Sequence, residues 1–280
     1  MNLHSTQMAL FKAYLDPGYR LAHRLDASAY AAHMGLHGED AEIIVAITPE
    51  ELDDFAASLR GKHGMLLKSA LPCTCEWIEK NRPTLIREYF DVFRPSRSQG
   101  REAVVAGFPP FLREYCGFWE GVAEALPDVA DFELALFFAR QTQRTSPGFP
   151  PGGEVSDGIP QEFSWESLYW KLEHTCIVSF SADPLSIFLG KSEMTAKSKP
   201  ASILVAPSPY ADVPVILRLA SVAYDALRNL SEPMSAYEMM ELCIKQGVAI
   251  SEGSLKSLLV NIGNRGAIGH RYVEGGYGRR

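Results

Sequence analysis

Ala201-Ser-Ile-Leu-Val-Ala206 and Val213-Pro-Val-Ile-Leu-Arg-Leu219 decide the reading of this chain. Both are short β-branched and aliphatic runs, and Pro207-Ser-Pro-Tyr-Ala-Asp212 between them is a segment no helix crosses, so the pair predicts a β-hairpin. Three amphipathic segments follow without a break, at about Ser221–Leu230, Ser235–Gln246 and Ser251–Asn264. Each has the length and period of a helix of about three turns. Strand, strand, helix, helix, helix is a winged-helix pattern. Modules of this kind recognise a polymer, either nucleic acid or an extended peptide, so the ending predicts binding and not bond-making.

Working outward, the clearest interruption lies just upstream. Thr145-Ser-Pro-Gly-Phe-Pro-Pro-Gly-Gly-Glu-Val-Ser-Asp-Gly-Ile-Pro160 contains eight Pro or Gly in sixteen residues and keeps no apolar period, so it reads as a linker. Residues 1–144 read as an all-α helical domain and 161–280 as the recognition domain, which makes the fold class α+β. Met8–Leu36 carries helical spacing interrupted at Pro17-Gly18. Thr48-Pro-Glu-Glu51 supplies an N-cap, a proline at the first helical position and a carboxylate three residues on, and Leu52, Phe55 and Leu59 would share one face of the helix it opens. Arg82–Phe93 and Arg101–Trp119 read as further helices, the second bent or ended around Gly107-Phe-Pro-Pro110. Asp128, after Pro127, is placed to cap the helix that continues Val-Ala-Asp-Phe-Glu. Phe163–Glu173 reads as a short aromatic-rich helix, and Cys176–Phe180 and Leu185–Leu189 as strands.

Composition bounds the function. The chain has 280 residues, 46% of them hydrophobic and 22% charged, which is ordinary for a globular protein with room for two cores. No apolar run approaches the ~18 residues of a membrane span, and Met1-Asn-Leu-His-Ser-Thr has no basic stretch before an apolar one, so a cytoplasmic location and no membrane partner are expected. Residues 1–160 carry 22 Asp/Glu against 15 Lys/Arg, net −7, and residues 161–280 carry 12 of each. Neither half resembles a phosphate binder. Arg265, Arg271, Arg279 and Arg280 gather at the end, where a solvated tail accounts for them.

A search for chemistry finds little. Five scattered cysteines suit reduced thiols better than a disulfide framework, and Cys73-Thr-Cys75 lacks the second pair a metal site needs. There is no G-x-S-x-G elbow, phosphate loop, H-E-x-x-H or C-x-x-C. His33 and His37, four apart with Glu39, Asp40 and Glu42 near, form the best metal candidate, but Gly35 and Gly38 predict that the helix ends there. His174 beside Glu173 is a candidate base without an identified partner. The expectation is no catalytic residue, metal or cofactor in this chain.

Two binding modes remain for the ending. A DNA-reading third helix needs several cations, and Ser251–Asn264 offers Lys256 alone, which argues against nucleic acid. Strand addition needs an open sheet edge and an apolar groove. Val213, Val215 and Leu217 on the second strand, with Leu255, Leu258 and Leu259 on the third helix, are the candidate peptide-binding residues. Helical spacing also gives those leucines a core role.

Two stretches resemble a known family. Gly107-Phe-Pro-Pro-Phe-Leu112, with Leu126-Pro-Asp-Val-Ala-Asp-Phe-Glu133 opening a helix, is similar to the N-terminal signature of the DUF2063 proteins, partner subunits of multinuclear non-haem iron oxidases. Ser202-Ile-Leu-Val, Ala223-Tyr-Asp-Ala-Leu-Arg-Asn-Leu230 and Leu258-Leu-Val-Asn-Ile-Gly-Asn-Arg-Gly-Ala-Ile268 resemble the C-terminal half of the same group, which serves 3-thiaglutamate and methanobactin biosynthesis. The resemblance covers about two fifths of the chain. It implies a non-catalytic subunit whose C-terminal module, a RiPP recognition element, holds the leader of a ribosomally made precursor peptide. It also implies that the helical domain docks on a DUF692-type oxidase, and that the iron, with its chemistry on a peptidyl cysteine, belongs to that partner. The alternatives are a winged-helix transcriptional regulator and an independent metalloenzyme centred on His33 and His37.

Overall fold

The computed structural model describes residues 3–93, 102–116, 123–145, 163–195, 199–208 and 212–271. These form a mixed α+β chain, mostly helical, with two small antiparallel sheets of three strands each. It divides into two compact units, Met1–Phe118 and Trp119–Arg280.

The first unit is helical: α1 (Leu3–Leu15), α2 (Pro17–Leu25), α3 (Ala27–His33), α4 (Glu39–Ala46), α5 (Pro49–Ala70), α6 (Pro72–Asn81), α7 (Leu85–Val92), α8 (Glu102–Ala106) and α9 (Phe108–Cys116). Its punctuation is local chemistry. Asp16 accepts the Gly18 N–H with Pro17 at the first helical position, and Asp26 closes α2 and caps α3 through the Ala29 N–H. Thr48 and Glu51 form the expected capping box at the head of α5. The predicted face of that helix is off by one position. Leu52 is buried, yet Phe55 is 50% exposed and lies against the Tyr14 ring at 4.1 Å, while Ala56 takes the inward place.

Two packed groups stand out among the described residues of this unit. Ala9, Ala13, Tyr30, Ala31, Leu36, Ile44 and Leu52 pack where α1 and α3 to α5 meet. The buried Tyr30 hydroxyl donates to the Ala9 carbonyl, and burial pushes its pKa up to about 12. The other cluster centres on Tyr89, whose ring meets Phe93 at 4.8 Å, Phe108 at 4.9 Å and Phe111 at 5.1 Å, and whose hydroxyl donates to the Val104 carbonyl at 2.7 Å. Gly107 does more here than break a helix. A Cβ at that position would lie 2.5 Å from Phe93 Cε2 and 2.7 Å from the Tyr89 oxygen.

The second unit contains α10 (Leu126–Thr145), β1 (Leu168–Trp170), β2 (Cys176–Phe180), α11 (Pro184–Phe188), β3 (Ala201–Ala206), β4 (Val215–Leu219), α12 (Ser221–Leu227), β5 (Met234–Ser235), α13 (Ala236–Lys245), α14 (Glu252–Asn264) and β6 (Gly269–Arg271). The predicted hairpin is present: β3 and β4 pair antiparallel, with Leu204 opposite Leu217 and Ala206 opposite Val215. β2 pairs with the other side of β3, giving the order β2-β3-β4. The uninterrupted run Ile203-Leu204-Val205-Ala206 is buried on both faces of the sheet. Ile203 and Val205, with Phe180, meet Phe132, Ala135, Leu136 and Ala139 of α10. Leu204 and Ala206 face the opposite way, into the core formed by α12, α13 and α14. α10 therefore packs with the C-terminal unit. The Pro/Gly-rich segment expected as the linker, beyond Thr145, lies outside the described residues.

Three local expectations change. Residues 163–173 do not form a helix: Leu168–Trp170 is β1, the middle strand of the second sheet, in the order β5-β1-β6. Tertiary pairing on both sides overrides a helical spacing of aromatic residues there. Leu185–Leu189 is not a strand, because Asp183 caps α11 by accepting the Ser186 N–H and Pro184 occupies its first position. Asp128 lies inside the first turn of α10, where its carboxylate accepts the Ser181 hydroxyl at 2.6 Å and the Ala182 N–H at 2.9 Å, so it ties down the turn after β2.

Candidate peptide-binding edge

β4 is an edge strand, hydrogen-bonded only to β3 among the described residues. Its side chains alternate as a strand's must. Val215, Leu217 and Leu219 are half-buried and point into the core shared with α14, whereas Ile216 packs on the α10 side. Arg218 shares the Ile216 face, where its Nη2 donates to Asp183 Oδ2 at 2.7 Å and to Ser186 Oγ at 2.8 Å. The edge thus offers a row of backbone groups flanked by half-covered apolar side chains on both faces.

The opposite border of the sheet is strapped to α10. At one end of β2 the His174 ring stacks on Phe138 with centroids 5.4 Å apart, and at the other Asp128 holds Ser181 and Ala182. β4 has no strap to α10 of this kind among the described residues.

The six predicted residues fall into three situations. Val213, just ahead of the strand, is 66% exposed. Val215, Leu217 and Leu258 are half-buried against one core. Leu255 and Leu259 are 0% and 1% exposed and belong to the interior of the three-helix bundle. They lie beneath the surface that Leu258 helps to form. Arg218, Ile216 and Leu219 complete the edge, and Arg218 was legible as the single charge within the apolar run 213–219.

α14 is capped by Ser251, whose hydroxyl accepts the Ser254 N–H. Lys256, the cation on which a phosphate contact from this helix would depend, sits over the Phe163 ring at 5.4 Å. Phe163 also meets Trp165 at 5.0 Å, and Trp165 lies against Tyr237 at 5.4 Å. The aromatic segment ahead of β1 therefore packs across the helices.

The remaining candidates do not converge on a reaction centre. α3 ends at His33, and Gly35 and Gly38 adopt left-handed φ of 72° and 56°, so His33 and His37 share no helix face. Cys73 is half-buried and Cys75 buried on α6. Burial pushes the Cys176 thiol up, partly opposed by Lys171, and raises Cys243 with help from Asp225, which holds both as neutral thiols. His174, with φ of 59°, has Nε2 3.6 Å from Glu173 Oε1. No group of three or more His, Cys, Asp or Glu is arranged to hold a metal, again among the described residues. An open groove of about 370 Å³ beside β5 is lined by Glu232, Met234, Glu238 and Glu241. Glu238 is engaged in the capping box with Ser235, and Glu241 pairs with Lys245. No helix among the described residues is long and apolar enough to cross a membrane.

No protein family model matches the chain, and no curated protein is detectably similar to it.

Proposed function

We propose that this protein is a cytoplasmic, non-catalytic partner subunit that captures the leader of a ribosomally made precursor peptide on β4 and delivers it to a multinuclear iron oxidase of the DUF692 type. The observation that carries the reading is the β4 border: apolar side chains half-covered on both faces, beside a helix, α14, whose lysine is engaged with an aromatic ring. Sheet, hairpin and three following helices make a winged-helix-like peptide-recognition element, and strand addition gains affinity from main-chain hydrogen bonds while alternate side chains fill the adjoining groove. The DUF2063 resemblance at residues 107–133 and 202–268 supports docking by the helical domain, residues 1–144, with the iron in the partner.

Co-expression with a neighbouring iron oxidase and its precursor peptide tests this. The expected result is a three-component complex that loses the peptide, but not the enzyme, when Val213 or Leu258 is replaced by Glu in a chain of unchanged circular dichroism. Substrate turnover by the purified chain alone would end the proposal. A salt-sensitive shift of duplex DNA would instead favour a transcriptional regulator, the other protein class that uses this arrangement of elements.

A further inference from the structure

Arg218 is the one charged side chain on β4, and it is only half spent. Its Nη2 is held by Asp183 and Ser186, both fixed at the head of α11, where Asp183 is also the helix cap. Nε and Nη1 make no hydrogen bond among the described residues, and the Arg218 side chain is 50% exposed against 18% for Asp183. The guanidinium is thus anchored at one nitrogen, beside the unpaired backbone of an edge strand, with the rest of its fork available. An anchored fork loses less side-chain entropy on taking up a carboxylate than a free one.

Resting on the peptide-capture reading, we propose that Arg218 is a specificity-determining residue that selects an Asp or Glu in the incoming strand, directly across from it, with an apolar residue on each side of that acid. The flanking requirement follows from strand alternation. Leu217 and Leu219 face the core of α12 to α14, so the peptide residues across from them extend that apolar face, while the residue between them projects to the Arg218 side. The pattern, apolar-acidic-apolar, is the same for parallel and antiparallel addition, because both keep the period of two.

The test is a display library of random twelve-residue peptides selected on the full chain, followed by fluorescence anisotropy on the best binder and its acid-to-amide version. The expected selection is apolar-acidic-apolar, with the amide version weaker by about two- to fivefold, the range of exposed cross-strand ion pairs. With Arg218→Gln the two peptides should bind equally. With Asp183→Asn, which retains a cap and frees the guanidinium, the preference for the acid should persist or grow. Apolar alternation without acidic enrichment, or an acid preference that survives Arg218→Gln, overturns the role of Arg218 while leaving the peptide-binding edge in place. Failure to enrich any peptide overturns both.

Discussion

Replacing Leu255 by Ala separates the interior of the three-helix bundle from its surface. Leu255 is 0% exposed within the cluster that also holds Leu204, Leu227, Met239 and Leu259. Truncation removes three carbons, a transfer loss of about 2.4 kcal/mol at ~0.8 kcal/mol each. A residual void of about 50 Å³ adds about 1.2 kcal/mol at ~24 cal/mol per Å³, bringing the cost to about 3.6 kcal/mol. Leu258, three positions along and half-buried, loses about half the transfer term and leaves no closed void, so Leu258→Ala costs about 1 kcal/mol. Hydrogen exchange of amides in α12 to α14 across a urea series reads this unit by itself, which matters in a chain of two compact units, where a single global transition is not assured. A cost below about 1 kcal/mol for Leu255→Ala, or a larger cost at Leu258, would refute the assignment of one side chain to the core and the other to the groove.

The same glycine-to-alanine change should have opposite signs at two positions. At Gly269 the new Cβ would lie 2.3 Å from Trp170 Cε2, its cross-strand partner, so Gly269→Ala should destabilise the β1–β6 pair by about 1–3 kcal/mol, as overpacking does. At Gly61, inside α5 with nothing within 4 Å, the change should stabilise by about 0.5–1 kcal/mol, and thermal unfolding of both variants checks the pair. The two capping boxes predict an acid limb. Hydrogen bonds from Thr48 and Ser235 hold the Glu51 and Glu238 carboxyls below the ordinary 4.5. A depressed folded value contributes stability above the unfolded pKa and loses it as pH falls through the folded one. Glu51→Ala and Glu238→Ala should therefore melt earlier than the parent at neutral pH, and the difference should shrink on acidification below 4.5; a difference that stayed constant with pH would count against carboxylate capping.

What was legible in the sequence was whatever local chemistry decides. The β3–β4 hairpin is bounded by prolines, α5 and α13 announce themselves by Thr48…Glu51 and Ser235…Glu238, and the breaks at Pro17 and Gly107 are where the helices stop. What was not legible depends on distant partners. The short β1 takes its structure from Ser235 and Arg271, both more than sixty residues away, and nothing local distinguishes Leu168-Tyr-Trp170 from a helical turn. Asp183-Pro184 is a readable helix start, but the apolar run after it is too short to show a period. Burial of Leu255 and Leu259 and partial exposure of Leu258 follow from which way α14 is turned, and the apolar pattern fixes that only to within about one residue.

The position of α10 changes what the sheet is able to do. With the second face of β3 open, Ile203 and Val205 would offer an apolar surface to a partner helix; α10 covers that face through Phe132 and Leu136, and α12 to α14 cover the other. A sheet covered on both faces keeps only its borders for contact with another chain. One border is strapped to α10 through His174 and Asp128, which leaves β4. An exposed apolar edge invites self-association, and a cation on the edge is one of the ways proteins discourage it. Arg218 meets that need, since a second copy paired in antiparallel register about this residue would bring two guanidinium groups face to face. On the proposed capture of a peptide by β4, the same charge that repels another copy of β4 favours a strand carrying a carboxylate, so rejection of self and selection of an acidic peptide would follow from one side chain. Charge reversal, Arg218→Glu, should accordingly shift the selected peptides toward Lys or Arg at the central position and leave the apolar flanks unchanged. Retention of the original selection would show that the edge reads its ligand through the backbone and apolar contacts alone.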